Sequence, residues 1–177
     1  IYARGYVGDP TGEYNGVKTG QNLKDDRSPK ELRTEALQVA SNADIVLFIG
    51  GLNKSEYQDC EGTDRKTMDL PYNQNELIMD LLQVNKKLVV INISGTGVAM
   101  PWKNHVSTIL QAWYLGSETG NALASILMGD VNPSGKLPYT YYACLNQCGA
   151  HKLGEYPGHK GMDVLGNKVY DIPYNEG

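Results

Sequence analysis

Residues 59–71 read DCEGTDRKTMDLP and place four carboxylates and one arginine within thirteen positions. They come shortly after a hydrophobic run, ADIVLFIGGL, that ends at residue 52. A carboxyl group held at the end of a buried strand can act as a general acid or base. A solvated acidic loop is the alternative interpretation, because loops usually run over the protein surface. The candidate carboxylates are Glu56, Asp59, Glu61, Asp64 and Asp69.

Two neighbours of Glu61 suit a loop that meets a ligand. Gly62 lets the backbone turn sharply and lets a ligand approach closely. Arg65 can pair with Asp64 through two parallel hydrogen bonds, which would leave a neighbouring carboxyl group free for chemistry. The backbone would then be held while one acid remains available.

Other kinds of site find little support in the sequence. The segment SGTG (94–97) follows a hydrophobic run, but it lacks the Lys-Ser/Thr ending of a phosphate loop, and no GxGxxG motif is present. No GxSxG motif marks a serine nucleophile, and His105 has no visible relation to a serine. Cysteine and histidine spacings do not suit zinc. We expect no metal and no cofactor, while Cys144 and Cys148 either form a disulfide or are free thiols.

Composition bounds the class of protein. A chain of 177 residues can form one domain with a real core. The net charge is -4 and no stretch is strongly basic, so neither nucleic acid nor an anionic membrane is an expected partner. The longest apolar runs are far too short to span a bilayer. Because the sequence opens on IYARGY, without an initiating Met or signal peptide, and closes on YNEG, we expect a domain of a longer protein.

Three hydrophobic runs predict strands near residues 45–50, 87–93 and 108–113. The first two are continuous and rich in β-branched residues, which is typical of strands buried on both faces of a parallel sheet. A short strand is expected within DVNPSGKLPYTYY, after the last helix. Irregular coil is expected over much of 143–170, because that segment has little capacity to bury apolar surface.

Three helices are predicted from capping signals and from apolar residues at helical spacing. Ser28 and Glu31 form a capping box at the first helix start. Asn73 is the expected cap of the second helix and Ser117 of the third, which Gly129 should terminate. The alternation of strands and helices predicts an α/β three-layer sandwich, with a mostly parallel sheet and helices on both faces.

In parallel sheets of this kind, ligands bind at the carboxyl ends of the strands. The segments GGLNKSEYQDCEGTDR, SGTGVAMPW and YLGSETG each leave such an end, so the charged stretch lies on the expected edge. Trp102, Trp113 and Tyr114 follow strand ends and could stack on sugar rings. Ordinary packing is the alternative interpretation for each of these aromatic residues.

Five segments in order carry a resemblance to a known family. They are ADIVLFIGGLN, EGTDRKTMDLPYNQNELI, KKLVVINISGTGVAMPW, ILQAWYLGSETGNALASILMGDVNPSGKLPYTY and the final YNEG. Together they resemble the C-terminal α/β sandwich domain of glycoside hydrolase family 3, whose members include β-glucosidases and β-xylosidases. The resemblance covers residues 32–142 almost without interruption, and the end of the chain.

The resemblance implies a division of catalytic labour. In similar enzymes a (β/α)8 barrel comes first and supplies an aspartate nucleophile, and the sandwich domain supplies the acid/base glutamate. Glu61 matches that glutamate, with Gly62, Asp64 and Arg65 as support of its loop. Glu56 is the second choice, because the spacing between GGLN and EG is slightly long. No segment resembles the barrel, so no nucleophile is expected in this chain, which alone should be inactive.

The implied function is hydrolysis of terminal β-D-glucosidic or xylosidic bonds by a retaining β-glycosidase. Its expected partners are an oligosaccharide and the barrel domain of the same parent chain, which should be secreted or periplasmic. A non-catalytic structural or carbohydrate-binding module that closes over a barrel is the alternative. A flavodoxin-like nucleotide binder is disfavoured by the missing phosphate loop.

Overall fold

The computed structural model describes residues 1–8, 13–14, 17–18, 25–155 and 158–172. The strands are β1 Glu13–Tyr14, β2 Val17–Lys18, β3 Val46–Gly51, β4 Leu88–Ile93, β5 Thr108–Gln111, β6 His159–Met162 and β7 Lys168–Asp171. The helices are α1 Pro29–Ser41, α2 Gln74–Val84, α3 Thr119–Met128 and α4 Gly149–Leu153. Short 3-10 helices span Gly116–Glu118 and Leu145–Gln147.

β3, β4 and β5 form a parallel sheet with β4 in the centre. β3 pairs with β4 from Val46–Leu88 to Gly51–Ile93, and β4 pairs with β5 from Val89–Thr108 onward. The three strands lie where the hydrophobic runs predict them. Because the register is parallel, the carboxyl ends of all three strands meet at one edge, as the sequence indicates.

Helices cover both faces of this sheet and make three layers. Phe48 and Val90 pack on one face, in the same core cluster as Leu77 and Leu81 of α2 and residues of α1. Ile91 points the other way and packs with Leu123 of α3. A buried Leu, Ile, Val or Phe contributes about 1.5–3 kcal/mol, so the alternation of side chains along β4 fixes it between two apolar layers. The predicted α/β sandwich is confirmed.

β3 is the exception to this coverage. Its outward side chains Leu47 and Ile49 are about half exposed, as is Ile45 just before the strand. Among the described residues, no strand pairs with the outer edge of β3. On the face where α3 covers Val89 and Ile91 of β4, the neighbouring positions of β3 therefore form an exposed apolar row.

The helix ends confirm some capping predictions and correct others. Ser28 accepts a hydrogen bond from the Glu31 amide while the Glu31 carboxylate accepts one from the Ser28 amide, so the predicted capping box is present. Asn73 precedes α2, but its backbone is left-handed (φ 55°) and its side chain makes no capping bond. The third helix begins at Thr119, after the 3-10 turn that contains Ser117, and ends at Gly129.

The segment after α3 differs from the prediction in two ways. No strand forms within residues 130–144; Pro133 and Pro138 lack the amide proton that a strand ladder needs. The expectation of irregular coil over much of 143–170 holds only in part, since the described residues of this span include α4 and the antiparallel hairpin of β6 and β7, whose strands are exposed. Asp163 builds the hairpin turn by accepting from the amides of Leu165 and Asn167. The final YNEG motif lies outside the described residues.

All three cysteines are free thiols, which settles the question about Cys144 and Cys148. In the part of the chain that the structure describes, each helix is either too short or too polar to cross a lipid bilayer.

A buried amide joins α2 to the end of β3. Gly51 has a φ of 144° and closely approaches β4: a Cβ here would lie 1.9 Å from the Ile93 carbonyl oxygen. Gln74, which is fully buried, donates to the Gly51 carbonyl at 2.8 Å and accepts from the Gly51 amide at 2.8 Å. Both ends of the loop between β3 and α2 are therefore held at one point.

We predict that Gln74→Leu lowers the free energy of unfolding by about 2–4 kcal/mol, because it leaves two buried backbone groups without partners. Gln83→Leu, in the same helix but exposed, is the matched control and should change it by less than about 0.5 kcal/mol. Urea denaturation of the two variants measures the difference. Equal effects would show that the Gly51 contact contributes nothing.

Candidate active site

Three loops meet at the carboxyl ends of the parallel strands. The longest, residues 52–73, connects β3 to α2 and is called the carboxylate loop here. The second is the turn at residues 94–97 after β4, and the third begins at Ala112 after β5. Side chains of these loops form the candidate site.

Asp59 connects the three loops. It is 9% exposed, and its carboxylate accepts hydrogen bonds from two of the neighbouring loops. The amide of Gly95 donates to Oδ2 at 2.6 Å, and the hydroxyl of Thr96 donates to Oδ1. The hydroxyl of Tyr114 donates to Oδ2 at 2.7 Å. One buried carboxylate thus fixes the relative positions of all three loops.

The turn after β4 is braced so that its donors face Asp59. Ser94 is fully buried and donates to the carbonyl oxygen of Thr96 at 2.9 Å. Asn92 donates to the Ser94 hydroxyl at 2.9 Å, and Gln111 donates to the Ser94 carbonyl at 2.9 Å. The SGTG segment therefore serves as a hydrogen-bond donor to a protein carboxylate.

Tyr114 lies between Asp59 and a lysine. Burial, followed by the hydrogen bond to Asp59, raises the pKa of the Tyr114 hydroxyl above its ordinary value, so it remains a donor through neutral pH. The ammonium of Lys54 lies 4.4 Å from the centre of the Tyr114 ring, within the range of a cation–π interaction. The ring thereby connects the start of the carboxylate loop to its buried anchor.

Arg65 provides a second anchor on the other side of Glu61. Its Nη2 donates to the carbonyl oxygen of Gly97. Its Nη1 is buried and has no hydrogen-bond partner among the described residues. Burial lowers the pKa of Arg65, and the negative charge of Asp59 opposes that shift. Arg65 therefore anchors the loop through its bond to Gly97, and the charge of Asp59 favours its charged form. The predicted pairing of Arg65 with Asp64 stays a prediction.

Between the two anchors the loop is closed by short contacts. The Tyr57 amide donates to the Thr63 hydroxyl at 3.0 Å, and the Cys60 thiol lies 2.9 Å from the same oxygen. This hydrogen bond with Thr63 lowers the pKa of Cys60. Gly62 has a φ of 89°, so the turn expected beside Glu61 is present.

Glu61 lies at the tip of this loop and is exposed. In the described part of the chain its carboxylate makes no hydrogen bond and no ion pair. Glu56 is also exposed, and its neighbouring carboxylate raises the pKa of the Tyr57 hydroxyl. An open depression of about 420 Å³ adjoins Glu61; its lining includes Lys54, Asp59, Asp64, Arg65 and Thr96.

Aromatic rings flank the site, and they include two of the three that the sequence suggests, Trp113 and Tyr114, together with two further tyrosines. Trp113 has a left-handed backbone (φ 53°) and meets the ring of Tyr139 edge-on, with 5.8 Å between ring centres. Tyr139 stacks on Tyr141 at 5.5 Å and donates to the Gly95 carbonyl at 3.1 Å. Tyr114 is 38% exposed. Trp113, Tyr114 and the two tyrosines thus lie at the edge of the site.

Trp102 does not belong to this surface. It is fully buried, and its indole N–H donates to the Asn75 side chain at 2.8 Å. Its ring has no face open to a ligand. Trp102 is therefore a packing residue and cannot contact a sugar here. An apolar ring with one satisfied N–H is typical of a core tryptophan.

Sequence reasoning missed the central role of Asp59 and the presence of Tyr139 and Tyr141. Asp59 appeared as one carboxylate among five, since its partners are 36 to 55 residues away along the chain. A usable signal was the SGTG turn, which offers a backbone amide and a hydroxyl at a neighbouring strand end. No comparable signal identifies the two tyrosines, which lie where a strand was expected.

Comparisons with known proteins agree with this architecture. The profile described as "Glycosyl hydrolase family 3 C-terminal domain" matches residues 4–177. Beta-glucosidase BoGH3A of Bacteroides ovatus is 54% identical over 148 residues, a match that covers 79% of this chain and 20% of that protein.

Solved structures give the same answer. A crystal structure of a beta-glucosidase from Kluyveromyces marxianus in complex with glucose has a TM-score of 0.67 at 38% identity, covering 72% of this chain and 15% of that one. The GH3 beta-glucosidase of Bifidobacterium adolescentis has a TM-score of 0.67 at 36% identity, covering 78% and 20%. This chain therefore spans about a fifth or less of the length of these proteins.

We predict that Tyr114→Phe costs about 0.5–1.5 kcal/mol of stability near neutral pH, because a partly exposed hydrogen bond is lost. The folded-state pKa of Tyr114 is raised, so this contribution is present below the ordinary tyrosine pKa of about 10 and is lost as pH rises beyond it. The gap between wild type and variant should shrink as the pH rises. Urea midpoints at about pH 8 and about pH 11 measure it. A constant gap would contradict the assigned role.

Proposed function

The chain belongs to the glycosyl hydrolase family 3 C-terminal domain family, and from that premise we propose that it supplies the general acid/base of a retaining β-glycosidase. One observation carries the proposal: Glu61 is presented at the sheet edge on a turn that is anchored on both sides. Asp59 anchors one side and Arg65 the other. Such anchoring suits a catalytic carboxyl group, because misplacement by about 1 Å can cost about 10²-fold in rate.

The proposed reaction uses two carboxyl groups. Glu61 protonates the glycosidic oxygen of the leaving group while an aspartate of another domain attacks the anomeric carbon and forms a glycosyl ester. Glu61 then takes a proton from water, which attacks the same carbon and releases the sugar and the aspartate. Retaining enzymes hold the two carboxyl groups about 5–5.5 Å apart. The nucleophile is therefore expected on a barrel domain that faces the carboxylate loop.

The exposure of Glu61 supports this division. A general acid/base carboxyl group works in a site from which water is excluded. Glu61 is exposed and without a partner among the described residues. A facing domain would exclude water from the depression beside it and would complete its surroundings.

The proposed substrates are terminal β-D-glucosides, with β-D-xylosides as the alternative within the same class. The relatives compared above carry the name beta-glucosidase, which supports the first choice. Trp113 and Tyr114 are the proposed sugar contacts, because their rings lie beside the site and are partly exposed. A secreted or periplasmic location of the parent protein fits substrates of this kind.

We predict that Glu61→Gln in the full-length parent lowers kcat/KM for phenyl β-glucoside by about 10²–10⁴-fold, the usual contribution of general acid catalysis. Dinitrophenyl β-glucoside should lose far less, because its leaving group needs no proton. Initial rates give kcat/KM for both substrates, and this parameter reports the first chemical step.

Two parallel variants make this test specific. Glu56→Gln, in the same loop, should lower kcat/KM only slightly and by the same factor for both substrates. A selective loss for phenyl β-glucoside would transfer the acid role to Glu56. Asp44→Asn, an exposed carboxylate at the opposite end of β3, is the neutral control. If neither glutamate gives a selective loss, the domain is a non-catalytic module that closes over its partner.

We also predict that residues 1–177, produced alone, do not hydrolyse aryl β-glucosides or β-xylosides. A covalent glycosyl intermediate needs a nucleophile as well as an acid. Joining the upstream domain should restore turnover. Hydrolysis by the purified chain, free of contaminating enzyme, would place a nucleophile within these residues and would contradict the proposed division.

A further inference from the structure

We infer that Asp59 is a positioning residue for the reaction: its buried carboxylate fixes the turn from which Glu61 reaches the substrate. The inference rests on the proposed function, because it assigns Asp59 a role that is exerted through the acid/base. The role assigned to Asp59 is exerted through Glu61 and requires no contact between Asp59 and the reacting atoms.

The geometry of the contact supports this role. Asp59 is 9% exposed, and its two oxygens accept three hydrogen bonds, two of them at 2.6 and 2.7 Å. Hydrogen bonds to an ionised acceptor are about twice as strong as neutral ones. The donors are a backbone amide and two hydroxyls on loops that are not adjacent in sequence. Few side chains could satisfy all of them at once.

The position of Asp59 in the chain transmits this restraint to Glu61. Only Cys60 separates the two residues, and Asp59 also donates its own amide to the Asn53 carbonyl at 3.0 Å. After Glu61, the Thr63 hydroxyl accepts from the Tyr57 amide, and Arg65 donates to the Gly97 carbonyl. Rotation of the turn would break contacts at both ends, so the carboxylate loop holds its shape within this chain.

An amide would hold these partners less firmly than the Asp59 carboxylate does. All three partners are arranged to donate toward Asp59. Asparagine has one acceptor oxygen and one donor NH₂ group. With its oxygen toward Gly95 and Tyr114, the NH₂ group of asparagine would face the Thr96 hydroxyl, which would then have to turn and accept. Asp59→Asn therefore preserves the size of the side chain but replaces charge-assisted hydrogen bonds by weaker neutral ones and reverses the Thr96 contact.

The test is made in the full-length parent with Asp59→Asn, Tyr114→Phe and the control Asp44→Asn. We expect Asp59→Asn to lower kcat/KM for phenyl β-glucoside by about 10- to 100-fold, through misplacement of the acid. The loss for dinitrophenyl β-glucoside should be much smaller. Tyr114→Phe removes one of the three donors to Asp59. It should also lower kcat/KM more for phenyl than for dinitrophenyl β-glucoside, but by a smaller factor.

The ratio of the two losses separates positioning from simple destabilisation. In a variant with fewer folded molecules, kcat/KM falls by the same factor for both substrates, since it then scales with the active fraction. A second readout is hydrogen exchange of the peptide that contains Gly95, whose amide should lose protection in Asp59→Asn and keep it in Asp44→Asn. Faster exchange together with a selective loss supports the inference.

Other outcomes overturn it. Equal losses for both substrates in Asp59→Asn, while Glu61→Gln stays selective, would leave the proposed function intact and reduce Asp59 to a structural residue. Selective loss in Glu56→Gln alone would also overturn it, since Asp59 would then not position the acid. If no glutamate variant is selective, the proposed function itself fails.

Discussion

The carboxylate of Asp59 is the contact on which the arrangement of the site depends. Parallel strands bring their carboxyl ends to one edge, but the loops that follow them are not linked by the sheet itself. Asp59 links them by accepting from Gly95, Thr96 and Tyr114. A carboxylate at this depth would be costly if it were unpaired. The same three hydrogen bonds therefore stabilise the buried carboxylate and hold the loops in place.

A second set of contacts holds the two ends of the carboxylate loop and its return toward β4. Gln74 closes the loop at Gly51, and both residues pack where β3 meets β4. Arg65 reaches the turn after β4 and carries the opposite charge to Asp59. The apolar layers position the strands, and this small group of polar contacts positions the loops. The position of Glu61 at the tip depends on both the apolar layers and these polar contacts, although its own side chain takes part in neither.

The sequence predicts the elements well and their cross-connections poorly. β3 and β4 are continuous β-branched runs, and Ser28 with Glu31 caps α1 as the pattern indicates. The hairpin of β6 and β7 was missed because its stability comes from turn bonds to Asp163 and not from burial. The role of Asp59 depends on three-dimensional proximity across loops, which local patterns do not encode. The same holds for Trp102, which is enclosed in the core cluster with residues of α1, α2 and β4.

The uncovered row on β3 has a practical consequence. Ile45, Leu47 and Ile49 are about half exposed beside a strand edge that no described strand occupies. Open strand edges with apolar side chains favour pairing between separate molecules. We therefore expect residues 1–177 produced alone to self-associate as the protein concentration rises. Precipitation of such a preparation would come from contacts at β3. It would say nothing about the loops of the site, which lie at the carboxyl ends of the strands.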